Sequence, residues 1–312
     1  MHSTIVSLTY VTLAFVELVG LGSSRPVEAV ILAASVAFIG VPHGAFDHVI
    51  GQRLLKPMFG SLWSALFFIS YLAMASCVVV GWFFWPVGTV LAFFFASAWH
   101  FGIEDCQSNE YGWQKHALAV ASGGLVIWFP ALIRRRDVID LLALVIPDEQ
   151  QRAAVVCTTI TAASAVVLVP LVLLRTVKSL TDFIFMKRER SLASLLSSDF
   201  FRNFALILLC ATVSPLVSFT VYFCGWHSIR GLIRIAGTVE DHPLMLALKL
   251  APLTIMAIGL AVAGSSVWSS TQLLTPSLIR TVFIALSALA VPHLFLYVSD
   301  DLIFRKRPAN TF

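Results

Sequence analysis

Long apolar runs dominate this chain, and short polar breaks that contain proline, glycine or charged residues separate them. A helix needs about 20 mostly apolar residues to cross a bilayer, whereas a barrel strand needs about half as many and alternates in polarity. The runs are continuous, so they predict helices. Roughly nine of them reach bilayer-spanning length, approximately at 4–22, 28–51, 61–83, 86–103, 116–133, 153–174, 203–226, 245–264 and 278–299. We therefore expect an all-α, polytopic transmembrane bundle of roughly eight to nine spans, with residues 1–312 in a single integral-membrane domain.

Two stretches between the runs differ from the rest. Residues 134–152 contain a short apolar segment bounded by charges, which predicts an interfacial amphipathic helix. Residues 175–202 form the longest polar stretch and are rich in Lys and Arg, which predicts a polar loop. The first apolar run has no Lys or Arg before it, so we interpret it as a membrane span and not as a signal peptide.

Composition narrows the class of protein. Hydrophobic residues make up 58% of the 312 residues, charged residues 12%, and the mean hydropathy is +0.88. A soluble domain has about 25% charged residues, so most of this apolar surface must face a lipid bilayer. The composition excludes a soluble enzyme, a disordered chain and a nucleic-acid binder, and it predicts a multi-pass protein of the cell membrane. The five cysteines are scattered without a CxxC pair, so they indicate neither a disulfide framework nor a zinc site.

Ionisable side chains within apolar runs are costly and usually mark a function. Five of the eight histidines lie within or at the ends of such runs, in settings rich in small or polar residues. These five are His43, His48, His100, His227 and His293. Asp47 follows His43 by four residues, and Glu104 follows His100 by four, so each carboxylate shares a helical face with a histidine. A carboxylate so placed can hold the second nitrogen of a metal-binding imidazole.

A single histidine in a membrane helix more often forms a hydrogen bond between helices than binds a metal. Four settings of this kind in one chain instead predict a shared metal centre. Neutral imidazoles without thiolates suit iron, copper, zinc or nickel. An apolar surround favours dioxygen chemistry on a hydrophobic substrate over hydrolysis.

The segments GVPHGAFDH and WHFGIED, the later WHS and the late PH resemble the Brp/Blh family of bacterial and archaeal membrane proteins. The resemblance extends, in order and spacing, from about residue 38 to residue 300. It implies a dioxygenase that uses O2 to cleave β-carotene or a related carotenoid at the central 15,15′ double bond, giving two molecules of all-trans-retinal. It also implies one Fe2+ ion held by histidines, two of which correspond to His43 and His100. A retinal-binding rhodopsin would be a downstream partner.

The chain departs from the family pattern in the third motif. The family has HSxxH there, with both histidines assigned to iron; here His227 matches the first, but Gly231 replaces the second. Three interpretations stay open: a three-histidine site, a site that His293 or His48 completes, and a protein that binds a carotenoid or retinal without cleaving it. If the site is under-coordinated, Gly231→His should raise its iron content. The expected catalytic and metal-binding set is His43, His100 and His227, with His293 as fourth ligand and His48 as its alternative.

Aromatic side chains near the histidines are candidates to line a tunnel for a polyene. Positioning is the main task there, because the double bonds of a polyene are chemically similar. The candidate substrate-binding residues are Phe101, Tyr222, Trp226 and Tyr297. Aromatic residues of this kind also pack helices together or face lipid, which is their more ordinary role. Arg230 lies three residues after His227, and a cation there would disfavour metal binding, so we expect it to pair with an acid or to point towards headgroups.

Two other functions compete with cleavage. A retinal-based photoreceptor needs a lysine deep in a late helix for a Schiff base, but the lysines lie at run ends or in loops. A metal-ion transporter also places polar groups at mid-membrane in interrupted helices, and the Pro-His pairs are compatible with that function. The lack of an obvious inverted repeat counts against transport.

Overall fold

The computed structural model describes residues 2–20, 22–105, 112–146, 152–185, 195–196, 198–236, 243–268 and 274–304. Within these ranges the regular secondary structure is helical and no strand occurs. The predicted all-α class is therefore confirmed for the described part of the chain.

The α-helices are numbered in chain order and joined by short breaks. They are α1 (His2–Leu18), α2 (Arg25–Ser35), α3 (Val41–Gly44), α4 (Asp47–Phe59), α5 (Trp63–Phe84), α6 (Pro86–Asp105), α7 (Trp113–Gly123), α8 (Leu125–Ile133), α9 (Arg135–Val145), α10 (Arg152–Phe185), α11 (Asp199–Thr212), α12 (Pro215–Thr220), α13 (Ile229–Ala236), α14 (Pro243–Trp268) and α15 (Leu274–Phe304). Two π-helices interrupt the series, Val36–Gly40 before α3 and Val221–Ser228 before α13, and the 3-10 helix Gly60–Leu62 precedes α5.

Several described helices have the length and apolarity of membrane spans. Four stretches qualify, or five if the bent pair α7 and α8 forms one span. They are Arg25–Phe84, Pro86–Asp105, Arg152–Thr181 and Thr275–Asp300. The first covers 60 residues, about 90 Å of helix against a hydrocarbon core of ~30 Å, and Gly60 breaks it with a φ of 54° that favours glycine. These helices indicate a membrane protein, but the predicted eight to nine spans are not confirmed.

The segments predicted between the apolar runs differ from the structure in their bounds. α10 continues to Phe185 and α11 begins at Asp199, so both ends of the predicted polar loop 175–202 are helical, while 186–194 and 197 lie outside the described residues. The side-chain amide of Asn203 donates to the buried Thr176 hydroxyl at 3.1 Å, which ties the extended end of α10 to α11. For 134–152 the structure has α9, while its interfacial position stays a prediction, as does the single membrane domain.

Close helix packing fixes the position of α6. A Cβ atom on Gly102 would overlap the backbone of Ala119 in α7, and one on Gly123 would overlap the backbone of Ala98 and Gly102. Small residues permit this approach between membrane helices. Gly102 lies two residues beyond His100. Its close contact with α7 therefore fixes the position of α6 and of His100 on that helix.

A buried polar contact joins the elements that lead to the other histidines. The Ser214 hydroxyl accepts from the Val217 amide at 3.3 Å and caps α12. It also donates to Oε2 of Glu28 in α2 at 2.9 Å. α2 continues towards His43 and α12 continues towards His227, so this contact fixes the two elements relative to each other.

Candidate metal centre

Four histidines from four elements meet in the interior of the bundle. His43 of α3, His100 of α6, His227 of the second π-helix and His293 of α15 form a closed cycle of contacts, with neighbouring ring centroids 4.9 to 5.3 Å apart. The first three are buried, and the side chain of His293 is 18% exposed. The structure thus brings together the three histidines predicted to be catalytic and the one predicted to complete their set.

Two groups of ligand atoms in and beside this cluster lie at distances that suit a bound cation. Nε2 of His100 and Nε2 of His293 lie 3.2 Å apart, and two imidazole nitrogens that bind one ion at ~2.1 Å are roughly 3 Å apart. His43, Glu104 and His227 offer ligand atoms within 4.8 Å of one another. Nδ1 of His227 is buried without a hydrogen-bond partner among the described residues, as expected where an ion is to be bound. The donor set suits a transition metal.

Irregular backbone precedes three of the histidines. The π-helix Val36–Gly40 and Pro42 come just before His43, and Pro292 comes just before His293 within α15. His227 lies near the end of the π-helix Val221–Ser228. Prolines kink helices and π-helical turns occur frequently at functional sites, since each changes the direction of the side chains that follow. In the sequence, these Pro-His pairs and aromatic-rich turns were the local signals of irregular backbone at the histidines.

Asp47 supports a different histidine from the one predicted. Its Oδ1 accepts from Nδ1–H of His293 at 2.7 Å, and its Oδ2 accepts from the Tyr71 hydroxyl at 2.9 Å. The i, i+4 spacing suggested His43 as its partner instead. Asp47 and His43 do share a direction, but the carboxylate meets the imidazole that arrives from the neighbouring helix α15.

Glu104 likewise contacts an imidazole from another element. Its Oε2 lies 3.6 Å from Nδ1 of His227, and its Oε1 accepts from Arg234 of α13 at 3.1 Å. The predicted partner was His100, four residues earlier on the same helix. The side chains of Glu104 and His100 both point towards the cluster, so the Glu104 carboxylate reaches the His227 ring on the facing π-helix.

Tyr222 and Trp226 are absent from the lining of the cavity described below, and their role in substrate binding stays a prediction. The Tyr222 hydroxyl and Nε1–H of Trp226 donate to Oδ2 of Asp105 at 2.8 and 2.7 Å, and Arg230 donates to Oδ1 at 3.3 Å. The prediction that Arg230 pairs with an acid is confirmed. Two side chains of the π-helix therefore anchor it to Asp105, next to His227 in the sequence.

The remaining candidates lie close to the cluster in different ways. Phe101 lines the cavity, and its ring centroid is 4.5 Å from that of His227. The Tyr297 ring meets the His100 ring edge-on, with centroids 5.3 Å apart, and is absent from the cavity lining. Nδ1 of His48 lies 3.0 Å from the Ala45 carbonyl oxygen, a local helix contact. The structure gives His48 no ring contact with the cluster among the described residues.

An apolar cavity of about 470 Å³ opens beside the four histidines, all of which contribute to its wall. Helices α5, α6, α14 and α15 supply most of its other lining residues. A concave apolar space with a few convergent polar groups is the usual form of a binding site for a hydrophobic molecule.

Gly231, where the family has its second motif histidine, packs directly against the cluster. A Cβ atom at this position would overlap Nε2 and Cδ2 of His43. The space that another side chain would occupy is therefore filled by the His43 ring. A histidine at 231 would therefore have to displace this ring before it could add a ligand.

Three residues of the site were not assigned a role from the sequence. Tyr71 places a hydroxyl inside the apolar run 61–83. A polar group within a predicted span was the signal by which this residue could have been found. Asp105 directly follows Glu104 and is almost fully buried, but its partners come from a distant segment. Arg234 lies beyond the seventh run, where the sequence gives no indication that it reaches Glu104.

Comparisons with known proteins give a consistent result. The family model described as "Beta-carotene 15,15'-dioxygenase" matches residues 34–298. The chain is 26% identical over 276 residues to the "Beta-carotene 15,15'-dioxygenase" of uncultured marine bacterium 66A03, covering 87% of this chain and 92% of that relative. It is also 26% identical over 290 residues to the "Probable beta-carotene 15,15'-dioxygenase Blh" of Halobacterium salinarum, covering 84% and 81%. No solved structure matches at a significant level.

Proposed function

The chain belongs to the beta-carotene 15,15'-dioxygenase family, and we propose that it cleaves β-carotene at the central 15,15′ double bond with O2 to give two molecules of all-trans-retinal. The observation that carries this proposal is the four-histidine cluster in the wall of an apolar cavity of about 470 Å³. The reaction breaks one C=C bond and adds one oxygen atom of O2 to each carbon. O2 is reduced as the two carbons are oxidised to aldehydes, so no further reductant is needed.

We infer that Fe2+ is the metal and that His43, His100, His227 and His293 hold it. Neutral imidazoles without thiolates suit a non-haem iron, and the 3.2 Å between Nε2 of His100 and Nε2 of His293 supports a shared ion. Iron supplies the redox chemistry by which O2 reacts with a closed-shell polyene. The protein residues bind and orient both the metal and the substrate.

Asp47 prepares His293 for this role. By accepting from Nδ1–H at 2.7 Å, it keeps the proton on Nδ1, so that the lone pair of Nε2 faces the cluster. The Tyr71 hydroxyl holds the other carboxylate oxygen at 2.9 Å. This chain of contacts supports His293 over His48 as the fourth ligand.

His293 also accounts for the departure at position 231. With glycine there, the His43 ring occupies the adjacent space, and an imidazole from α15 brings the number of histidines to four. A carotenoid-binding protein without cleavage activity is the second candidate, and the observation that favours it is this same loss of a family histidine. The two candidates differ in whether aldehyde is formed.

The cavity determines how a substrate would lie. Its wall is almost wholly apolar apart from the histidines, Asp47, Tyr71 and a few serines, so it excludes water and accepts a hydrocarbon chain. Leu72 and Met256 line it and are also 46% and 44% exposed, which opens the cavity sideways. In a multi-pass protein of the cell membrane, which we infer this to be, that opening faces lipid and admits carotenoid from the bilayer. The retinal formed would then serve a retinal-binding protein such as a rhodopsin.

Expression in cells that accumulate β-carotene tests the proposal. The wild-type chain should bleach the cells and produce retinal, while His100→Ala should leave the colour and form no retinal. Carotenoid that co-purifies with the wild-type protein while the cells stay orange would instead support binding without cleavage. Cells that stay orange with no bound carotenoid would contradict both candidates.

A further inference from the structure

Residues that line the cavity continue from the histidines along α5, α6 and α15, and we call this part of the cavity its arm. We propose that the length of this arm selects which double bond of the polyene is cleaved. The inference rests on the proposed function and concerns its specificity. The arm reaches from the histidine cluster to a wall formed by Phe93 and Phe219.

Three helices give the length of the arm. Cavity-lining residues run from Tyr71 to Val80 on α5 and from His293 back to Ile284 on α15. Each stretch spans nine residue steps (80 − 71 and 293 − 284), about 13.5 Å at the helical rise. On α6 the lining runs from His100 back to Phe93, about 10 Å by the same rise.

The contacts show that the far ends of the α6 and α15 stretches lie together. Phe219 stacks on Phe283, the neighbour of Ile284, with ring centroids 5.9 Å apart. Phe93, Phe219 and Phe283 all line a second cavity of about 60 Å³. At the near end, Tyr71 and His293 both bond to Asp47. The arm therefore has one end at the metal cluster and the other at the phenylalanine wall.

One half of a symmetric carotenoid matches this distance. About nine bonds separate the ring from the central double bond, and an extended chain advances ~1.2 Å per bond, so this part covers roughly 11 Å. This chain fills an arm of about 10 to 13.5 Å, so the ring lies at the end wall that Phe93 and Phe219 form. The central double bond then lies at the histidines.

The opposite side of the cluster is short. Phe67 is 4% exposed, lines the cavity and packs tightly onto Gly51 of α4. The second half of the substrate therefore leaves through the side opening at Leu72 and Met256.

Val80 and Leu260 also line the cavity and are 52% and 54% exposed, so the arm is open sideways along α5 and α14, while Phe93 and Phe219 close its end. Only the half of the substrate in the arm meets an end wall, and this asymmetry is what allows the arm to define the cleaved bond.

Phe93, Ser97 and Phe219 separate the arm from the second cavity, because each lines both spaces. Replacing Phe219 by alanine would join the cavities and lengthen the arm. Conversely, Ala261 of α14 lines the cavity two turns beyond Leu253, which packs near Ala45 and Phe46 at the histidine end, and a phenylalanine at 261 would shorten the arm. Since the substrate is symmetric, a displacement in either direction gives two aldehydes of unequal length in place of two equal ones.

The experiment compares products of iron-loaded protein in detergent with β-carotene, separated by chromatography and identified by mass spectrometry. Ala261→Phe and Phe219→Ala should each convert retinal from the main product into a minor one and yield a pair of unequal apocarotenals. The matched control is Ala263→Phe, on the same helix but exposed and outside the cavity lining, which should still give retinal. Ala285→Phe, in the arm wall on α15, is a second shortening variant should Ala261→Phe fail to fold.

The outcomes separate this inference from the proposed function. Wild-type protein that forms no aldehyde contradicts the proposed function itself. If the wild type forms retinal and the folded variants form only retinal, the arm does not select the bond. Folded, iron-containing variants that form no aldehyde overturn the inference as well, because a changed arm length should redirect cleavage and not abolish it.

Discussion

The two carboxylates beside the histidine cluster support their imidazoles in different ways. Asp47 is 3% exposed and accepts hydrogen bonds of 2.7 and 2.9 Å from His293 and Tyr71. Glu104 is paired with Arg234, whose side chain is 44% exposed, and its nearer oxygen is 3.6 Å from Nδ1 of His227. One side is a short, buried chain of hydrogen bonds, while the other is an ion pair that extends to the surface.

The difference indicates that the two sides contribute unequally to ligand orientation. A buried, short, charge-assisted hydrogen bond fixes the tautomer and direction of an imidazole strongly. An ion pair with an exposed arginine is weakened by its surroundings, and 3.6 Å is too long for a hydrogen bond. We therefore expect His293 to be held more firmly than His227, although His227 is the more deeply buried ring.

The largest expected effect comes from Gly231→Ala, on the Glu104 side. The added methyl group would occupy the place of the His43 ring and displace that ligand, so iron per purified chain should fall at least tenfold (roughly the loss seen when a metal site is disturbed). The matched control is Gly225→Ala in the preceding π-helix, where a Cβ meets Val221 Cγ1 at an ordinary 4.0 Å. Equal iron content in the two variants would contradict the prediction, because it would show that iron binding does not depend on the present position of the His43 ring. For the same steric reason Gly231→His should lower iron content, the reverse of the sequence expectation.

The variants Asp47→Asn and Glu104→Gln test whether the two carboxylates support their imidazoles unequally. Asp47→Asn should lower iron affinity or retinal formation by about 10- to 100-fold, as removal of a carboxylate behind a metal-binding histidine does. Glu104→Gln should cost less, because its contact with His227 is longer. The measurement is a chelator titration of both purified variants. A larger loss in Glu104→Gln would reverse our assignment of the stronger side.

The smallest effect is expected from Tyr71→Phe. This change removes one hydrogen bond to Asp47, worth about 1 kcal/mol or a factor of roughly five in affinity. The same chelator titration measures it, and Tyr10→Phe, which removes a buried hydroxyl without a hydrogen-bond partner among the described residues, serves as the control. A loss as large as that of Asp47→Asn would mean that Tyr71 acts on the substrate or metal directly.

The sequence predicted the parts of this molecule that depend on local composition. Continuous apolar runs indicated an all-α protein, because no other open-chain structure satisfies its backbone groups in lipid. Histidines inside those runs indicated the cluster, since such side chains are costly in membranes. Residues as far apart as His43 and His293 could be grouped on this reasoning before any contact was known.

The sequence could not predict in the same way which imidazole each carboxylate contacts. The i, i+4 spacing places Asp47 beside His43 and Glu104 beside His100, yet each carboxylate contacts an imidazole from another helix. Which helix lies opposite is a property of tertiary packing and leaves no periodic signal. The hydrogen bonds of Tyr222 and Trp226 to Asp105 were unpredictable for a related reason: Asp105 is more than a hundred residues away in the chain.

The most direct test of the account is the iron content of single alanine variants. Purified His43→Ala, His100→Ala, His227→Ala and His293→Ala should each lose most of the iron found in the wild-type chain, whereas His48→Ala should retain it. Full iron content in His293→Ala, or its loss in His48→Ala, would contradict the central claim that these four imidazoles hold one ion.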